Sequence, residues 1–226
     1  MSETDGAGRP GGSWPGPTAA ALRAQVELLL EGPRPLPIVQ AGETVLRRPA
    51  PPYRGELDGR LLDELVEAMR ETMRAAPGVG LAAPQIGLGL ALAVIEDAWP
   101  VQDDLALARE REPVPFRVLV NPRYEPVGEQ RVGFYEGCLS VSGWQAVTPR
   151  WRSVRLTGRD HAGDLLDEVL HGWPARIVQH ETDHLAGRLY VDIAEMRSLC
   201  APGHGLRWSA EATPRAAAQE LGFSLP

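Results

Sequence analysis

The sequence predicts an α+β fold built mostly from antiparallel sheets, and three observations carry that prediction. Residues 58–75 place Leu62, Leu65, Val66, Met69 and Met73 on one face of a helix. Between 131 and 170, short apolar runs (VGFYEG, WQAVTP, SVRLTG, LLDEVLHG) alternate with Gly and Pro turns, as antiparallel strands do. A further helix is predicted from about Pro174 to Leu185, with the proline suited to its first turn. That helix carries the stretch richest in chemistry, QHETDHLAG at 179–187.

Taken in order, residues 1–37 read as a flexible N-terminal extension with one short helix. Its first 17 residues are rich in Gly and Pro, a composition that favours disorder. Leu22, Val26, Leu29 and Leu30 then recur at helical spacing behind a Thr18 cap. The main domain is expected at 38–193. Asp58 should cap its first long helix, and Pro77-Gly78 should stop it. Segments 90–96 and 117–122 read as buried strands, separated by a charged, solvated excursion. After Ile193 a tail, 194–226, shows Gly, Pro and Ala clusters with little periodicity.

Composition narrows the function. With 43% hydrophobic residues the chain can bury one sizeable core. A net charge of −7 gives no electrostatic reason to expect DNA or RNA as a partner. All 23 basic residues are Arg, which reads as coding bias. No apolar stretch approaches the roughly 20 residues of a membrane span, and the start is not a secretory signal. Two cysteines do not make a disulfide framework, so a cytoplasmic protein with reduced thiols is expected.

His180 and His184 lie four apart, so a helix stacks both imidazoles on one face, with Glu181 beside them. A catalytic metal site usually has three protein ligands and an open position. Three candidates compete for the third place. Tyr190 stands where one protease pattern needs a histidine, and His204 lies at about the right distance in a Gly/Pro segment without a helix to aim it. Cys138, in EGCLS, offers a thiolate suited to Zn²⁺ or Fe²⁺, although a small buried hydrophobe is its bland alternative. Upstream, GVGLAAPQIG (78–87) is a tight Gly/Pro connection holding Gln85, whose amide can donate to a developing oxyanion.

Together GVGLAAPQIG, EGCLS and QHETDHLAG, in this order, resemble the three motifs of the peptide deformylase family. No departure falls inside the motifs, and the likeness spans roughly 38–193. It implies that Cys138, His180 and His184 bind one divalent metal, Fe²⁺ in the cell, with Zn²⁺ or Ni²⁺ as alternatives. It implies sheets packed around a central helix and a reaction that removes the N-formyl group from formyl-methionyl nascent peptides, releasing formate. Glu181 would then be the base, while Gln85 and the Leu139 backbone N–H would meet the oxyanion. Gly80 would lie on an edge that pairs with the peptide, and Ile86 and Ile177 are the guesses for the methionine pocket. Asp183 and Arg150 are expected either to orient the helix or a ligand, or to form a solvated salt bridge. A transient ribosome contact is also implied.

Outside the motifs, Ser142-Gly143 departs from the hydrophobe-Pro continuation that follows EGCLS in the family. The competing readings are a metallopeptidase, a formyl-peptide binder and a structural zinc site. Intact Glu181 and Gln85 argue against a mere binder. A structural site would need a fourth ligand, for which His161, His171 and Cys200 are the candidates.

Overall fold

The first two helices start where the sequence predicts. Helix α1 (Ala19–Glu31) begins at Thr18, whose hydroxyl accepts the Ala21 N–H at 3.2 Å. Helix α2 (Gly59–Ala75) begins at Asp58, whose carboxylate accepts the Leu61 N–H at 3.0 Å. Each cap satisfies a backbone donor that the helix itself cannot. The computed structural model describes residues 16–98 and 103–226. The start of the predicted extension, 1–15, and residues 99–102 near the start of the charged excursion lie outside the described residues.

The chain continues through β1 (Gly80–Ala82), β2 (Leu92–Asp97), the short helix α3 (Asp104–Ala108), β3 (Val114–Pro126), β4 (Arg131–Cys138) and β5 (Val141–Trp151). Strands β6 (Ser153–Arg159) and β7 (Leu165–His171) follow, then α4 (Gly172–Leu185), α5 (Leu206–Ser209) and α6 (Arg215–Leu221). Five strands form one antiparallel sheet in the order β1-β2-β3-β6-β7, and β4 and β5 form a separate antiparallel pair.

Alternation along β2 and β3 sets the layers, because successive side chains point to opposite faces. Leu92, Val94, Val118 and Val120 face a core shared with α1 and α2, including the predicted stripe Leu62, Leu65, Val66, Met69 and Met73. Ala93, Ile95 and Leu119 face the other way, onto Ile177, Val178 and Leu185 of α4. Each of the buried Leu, Ile, Val and Met side chains among them contributes roughly 1.5–3 kcal/mol. The opposite side of α4 meets the β4–β5 pair: Arg176 donates to the Thr148 carbonyl, and the Gln179 amide brackets the backbone of Trp151. Helix α4 is therefore central, between two antiparallel sheets. No described helix is long and apolar enough to cross a membrane.

Two regions differ from the sequence reading. The excursion expected to be solvated turns inward after α3, where Arg109 is buried and Arg111 pairs with the buried Asp97 at 2.7 Å. The close approach depends on Gly172, where a Cβ would fall 2.4 Å from that of Glu110. The tail, nearly without periodicity, packs Trp208, Ala217, Leu221, Phe223 and Leu225 against Tyr135 and Val147 of the β4–β5 pair. Its helices are too short to display a period, so the packing was not visible in the pattern.

Candidate active site

Cys138 ends β4, and a two-residue turn, Leu139-Ser140, leads back into β5. His180 and His184 project from α4 one turn apart, with ring centroids 5.0 Å from each other. The candidate ligand atoms of Cys138, His180 and His184 all lie within 4.8 Å of one another, and Cys138 Sγ is 3.2 Å from His184 Nε2. A thiolate and two imidazoles form a donor set for Fe²⁺, Zn²⁺ or Ni²⁺. Burial, with His180 close by, pushes the His184 imidazole well below its ordinary pKa, so it is neutral, as a ligand must be. Neither Tyr190 nor His204 takes part in the group. Tyr190 instead stacks near His180 and donates its hydroxyl to the Trp144 carbonyl.

Glu181 lines a cleft of about 530 Å³ together with Cys138 and His180. Its carboxylate is buried, and Oε2 has no hydrogen-bond partner. A buried carboxylate without partners is costly unless it is protonated or meets a cation or water. Desolvation raises its pKa to about 7, while His180 and Arg150 pull the other way. This is the range in which a carboxylate can both take and return a proton. Gly80 makes the room: a Cβ there would fall 2.2 Å from Glu181 Oε1. Strand β1, which holds Gly80, is an edge strand of the large sheet.

Gln85 sits in a buried 3₁₀ turn, Ala83–Ile86. Its Oε1 accepts the Ala82 N–H at 2.8 Å, which turns the amide nitrogen toward Cys138 Sγ at 3.6 Å and Ser140 Oγ at 3.4 Å. Leu139 and Ile177 line the cleft. Ile86 does not: the turn that directs Gln85 to the cleft sends Ile86 into the core with α2. Adjacent positions of such a turn diverge, so sequence proximity to Gln85 was a poor guide.

The ligands rest on a buried ion network that the motifs only half revealed. Glu136 Oε2 accepts from His180 Nδ1 at 3.0 Å, which directs the other ring nitrogen to the ligand cluster. Arg150 grips Glu136 through two bonds of 3.0 Å and also binds Asp183. Arg176 reaches Glu136 at 2.5 Å, while Asp183 receives Arg188 at 2.7 Å and the Tyr124 hydroxyl at 3.1 Å. Burial alone would raise the Glu136 pKa, but Arg150 and Arg176 overcome it and hold this carboxyl well below its usual range. Arg150 and Asp183 are thus buried supports, as one of their two expected roles required. Glu136 was missed although it stands inside the EGCLS motif. A charged residue within an apolar strand was the available signal, since such groups are buried only with partners.

Comparison with known proteins agrees with this geometry. A family model described as polypeptide deformylase matches residues 35–199. Peptide deformylase 1 of Streptomyces coelicolor is 58% identical over 205 residues, covering 91% of this chain and 94% of the relative. The chain belongs to the peptide deformylase family. Peptide deformylase 3 of Streptomyces avermitilis is 60% identical, covering 91% of this chain and 92% of its own. A class I type b peptide deformylase from Acinetobacter baumannii, solved bound to Met-Ala-Ser, superposes with a TM-score of 0.62 at 33% identity. That match covers 70% of this chain and 97% of the other. Cys138, His180 and His184 form a Cys/His/His cluster that could hold a metal ion, of the kind typical for this family.

Proposed function

We propose that this chain removes the formyl group from N-terminal formylmethionine of newly made polypeptides, with Glu181 as its base. One observation carries the assignment of roles: a buried, unpartnered carboxylate stands directly beside a Cys/His/His ligand cluster. We assign Fe²⁺ to the site in the cell, with Zn²⁺ or Ni²⁺ able to replace it, since the donor set suits all three. A divalent cation held there supplies Lewis acidity and lowers the pKa of water.

The chain's own groups do the rest. Glu181 takes the proton of the attacking water and delivers it to the departing amine, a transfer matched to its raised pKa. The Gln85 amide, fixed by Ala82, and the Leu139 N–H donate to the oxyanion. The peptide pairs with the edge around Gly80, and Ile177 contributes to the methionine pocket. The apolar contribution of Ile86 is indirect, through the core that supports the turn. Nascent formylated chains as substrate support a cytoplasmic enzyme that meets the ribosome transiently, and we include both in the proposal.

The test is formate release from a short N-formyl-methionyl peptide by protein loaded anaerobically with Fe²⁺, compared with Glu181→Ala. The parent should turn over, and the variant should lose about 10²–10⁴-fold in kcat while binding one metal equivalent. A metal-loaded parent that releases no formate rejects the proposal.

A further inference from the structure

The cleft continues beyond the metal cluster to a second wall, where Arg109 and Trp173 meet Ser209 of the tail. Arg109 is 9% exposed, and its guanidinium carbon lies 5.0 Å from the Trp173 ring and 5.7 Å from that of Phe134. Its Nη2 donates to the Ser209 carbonyl at 2.9 Å, whereas its Nε has no acceptor. The Trp173 indole N–H also has none. The two other arginines of the cleft have carboxylates: Arg176 binds Glu136, and Arg111 binds Asp97. Among the described residues, no carboxylate lies within ion-pair distance of Arg109. Desolvation, with Arg111 and Arg176 nearby, lowers its pKa to about 10, and the charge of Asp103, which forms no ion pair with it, only partly opposes this. The Ser209 carbonyl and the aromatic rings offset part of the desolvation cost of this buried cation, and an anion would offset the rest.

We propose that Arg109, held in place by the tail, is a carboxylate-binding position within the substrate cleft. Resting on the deformylase reading, it gives the enzyme a preference for formylated peptides with an acidic residue near the methionine. Arg109 is suited to this by its planar fork of donors. Its aromatic neighbours fix the plane without neutralising the charge. Formate released in the reaction carries the same chemistry and is the alternative occupant.

The experiment compares kcat/KM for N-formyl-methionyl tetrapeptides carrying Asp or the isosteric Asn at the second, third or fourth position. Metal-loaded parent, Arg109→Met and Arg109→Lys are measured in parallel. The parent should favour one Asp peptide by about 10-fold, the size of one charge-assisted hydrogen bond. Added salt should shrink that preference. Arg109→Met should bring the Asp/Asn ratio of kcat/KM to about 1, and Arg109→Lys should keep part of the preference. A second arm adds formate to the Asn-peptide assay. Inhibition weakened by Arg109→Met would assign the position to the product. Equal use of Asp and Asn by the parent, with formate inhibition unchanged in Arg109→Met, overturns the site. If even the Asn peptides release no formate, the deformylase reading fails instead. Should Arg109→Met unfold, the parent's own Asp/Asn ratio and its salt dependence decide.

Discussion

The two sides of helix α4's polar face are built on opposite rules. Toward the β4–β5 pair, Glu136, Arg150, Arg176 and Asp183 are almost fully buried, and every one of them has a charged partner. Toward the cleft, Glu181 Oε2 and Arg109 Nε are buried without a hydrogen-bond partner, and Arg109 forms no ion pair among the described residues. Saturated charges hold a geometry, because removing any partner leaves another buried charge under-compensated. Unsaturated ones retain capacity for something that arrives. A single helix thus separates a fixed support from a reactive surface by one step of sequence: His180 belongs to the first through Glu136, and Glu181 to the second.

The comparison breaks most clearly at Arg150. Arg150→Met keeps much of the volume but leaves Glu136 to Arg176 and His180, and Asp183 to Arg188 and Tyr124. Two buried carboxylates are then short of their central cation, so unfolding in urea should show a loss of about 3–5 kcal/mol. A loss under 1 kcal/mol would mean that the network is not a support. On the cleft side, Gly80→Ala should act in the reverse sense. The added methyl would displace the Glu181 carboxylate, so formate release should fall about 100-fold, while stability changes by less than that of Arg150→Met. Glu136→Gln tests the link between the sides. With the carboxylate behind His180 removed, metal affinity measured by chelator competition should fall about 10–100-fold.

The smallest effect concerns the rim. Glu96 is paired with Arg70 and Arg74, whose hydrogen bonds lower its pKa to about 2. Its unfolded value is about 4.3. The folded state binds the proton more weakly, so this contribution is complete above about pH 4.3 and lost as pH falls through about 2. The stability difference between parent and Glu96→Gln, read from urea melts, should be about 1 kcal/mol near pH 6 and should shrink below pH 3. A difference independent of pH would show that the pair contributes through packing alone.

How much of this was legible depends on whether the information is local. The stripe on α2, the caps at Thr18 and Asp58 and the strand pairs from 131 to 170 follow from periodicity and side-chain chemistry within a few residues. The His180/His184 spacing belongs to the same class. Cys138 does not: it lies 42 residues before His180 in number, and only the ordered set of motifs selected it over Tyr190 and His204. Glu136 and Arg176 hid because a buried charge looks like a solvated one until its partner is placed. Arg109 hid for the same reason, inside a segment whose composition suits a solvent-exposed loop. The tail buries Trp208 and Ala217 through contacts with a distant hairpin, which no short-range pattern encodes.

One feature of the ligand cluster reaches beyond chemistry. Its thiolate belongs to the two-stranded sheet, and its imidazoles belong to the helix seated on the five-stranded sheet. A cation bound there is consequently a rivet between two sheets that share no strand pairing among the described residues. Its binding energy is available only to a chain that has brought both sheets together, and so it adds to the stability of the folded state. Oxidation of Cys138 would therefore do more than silence the enzyme: it would pull the rivet and loosen the seam between the two sheets.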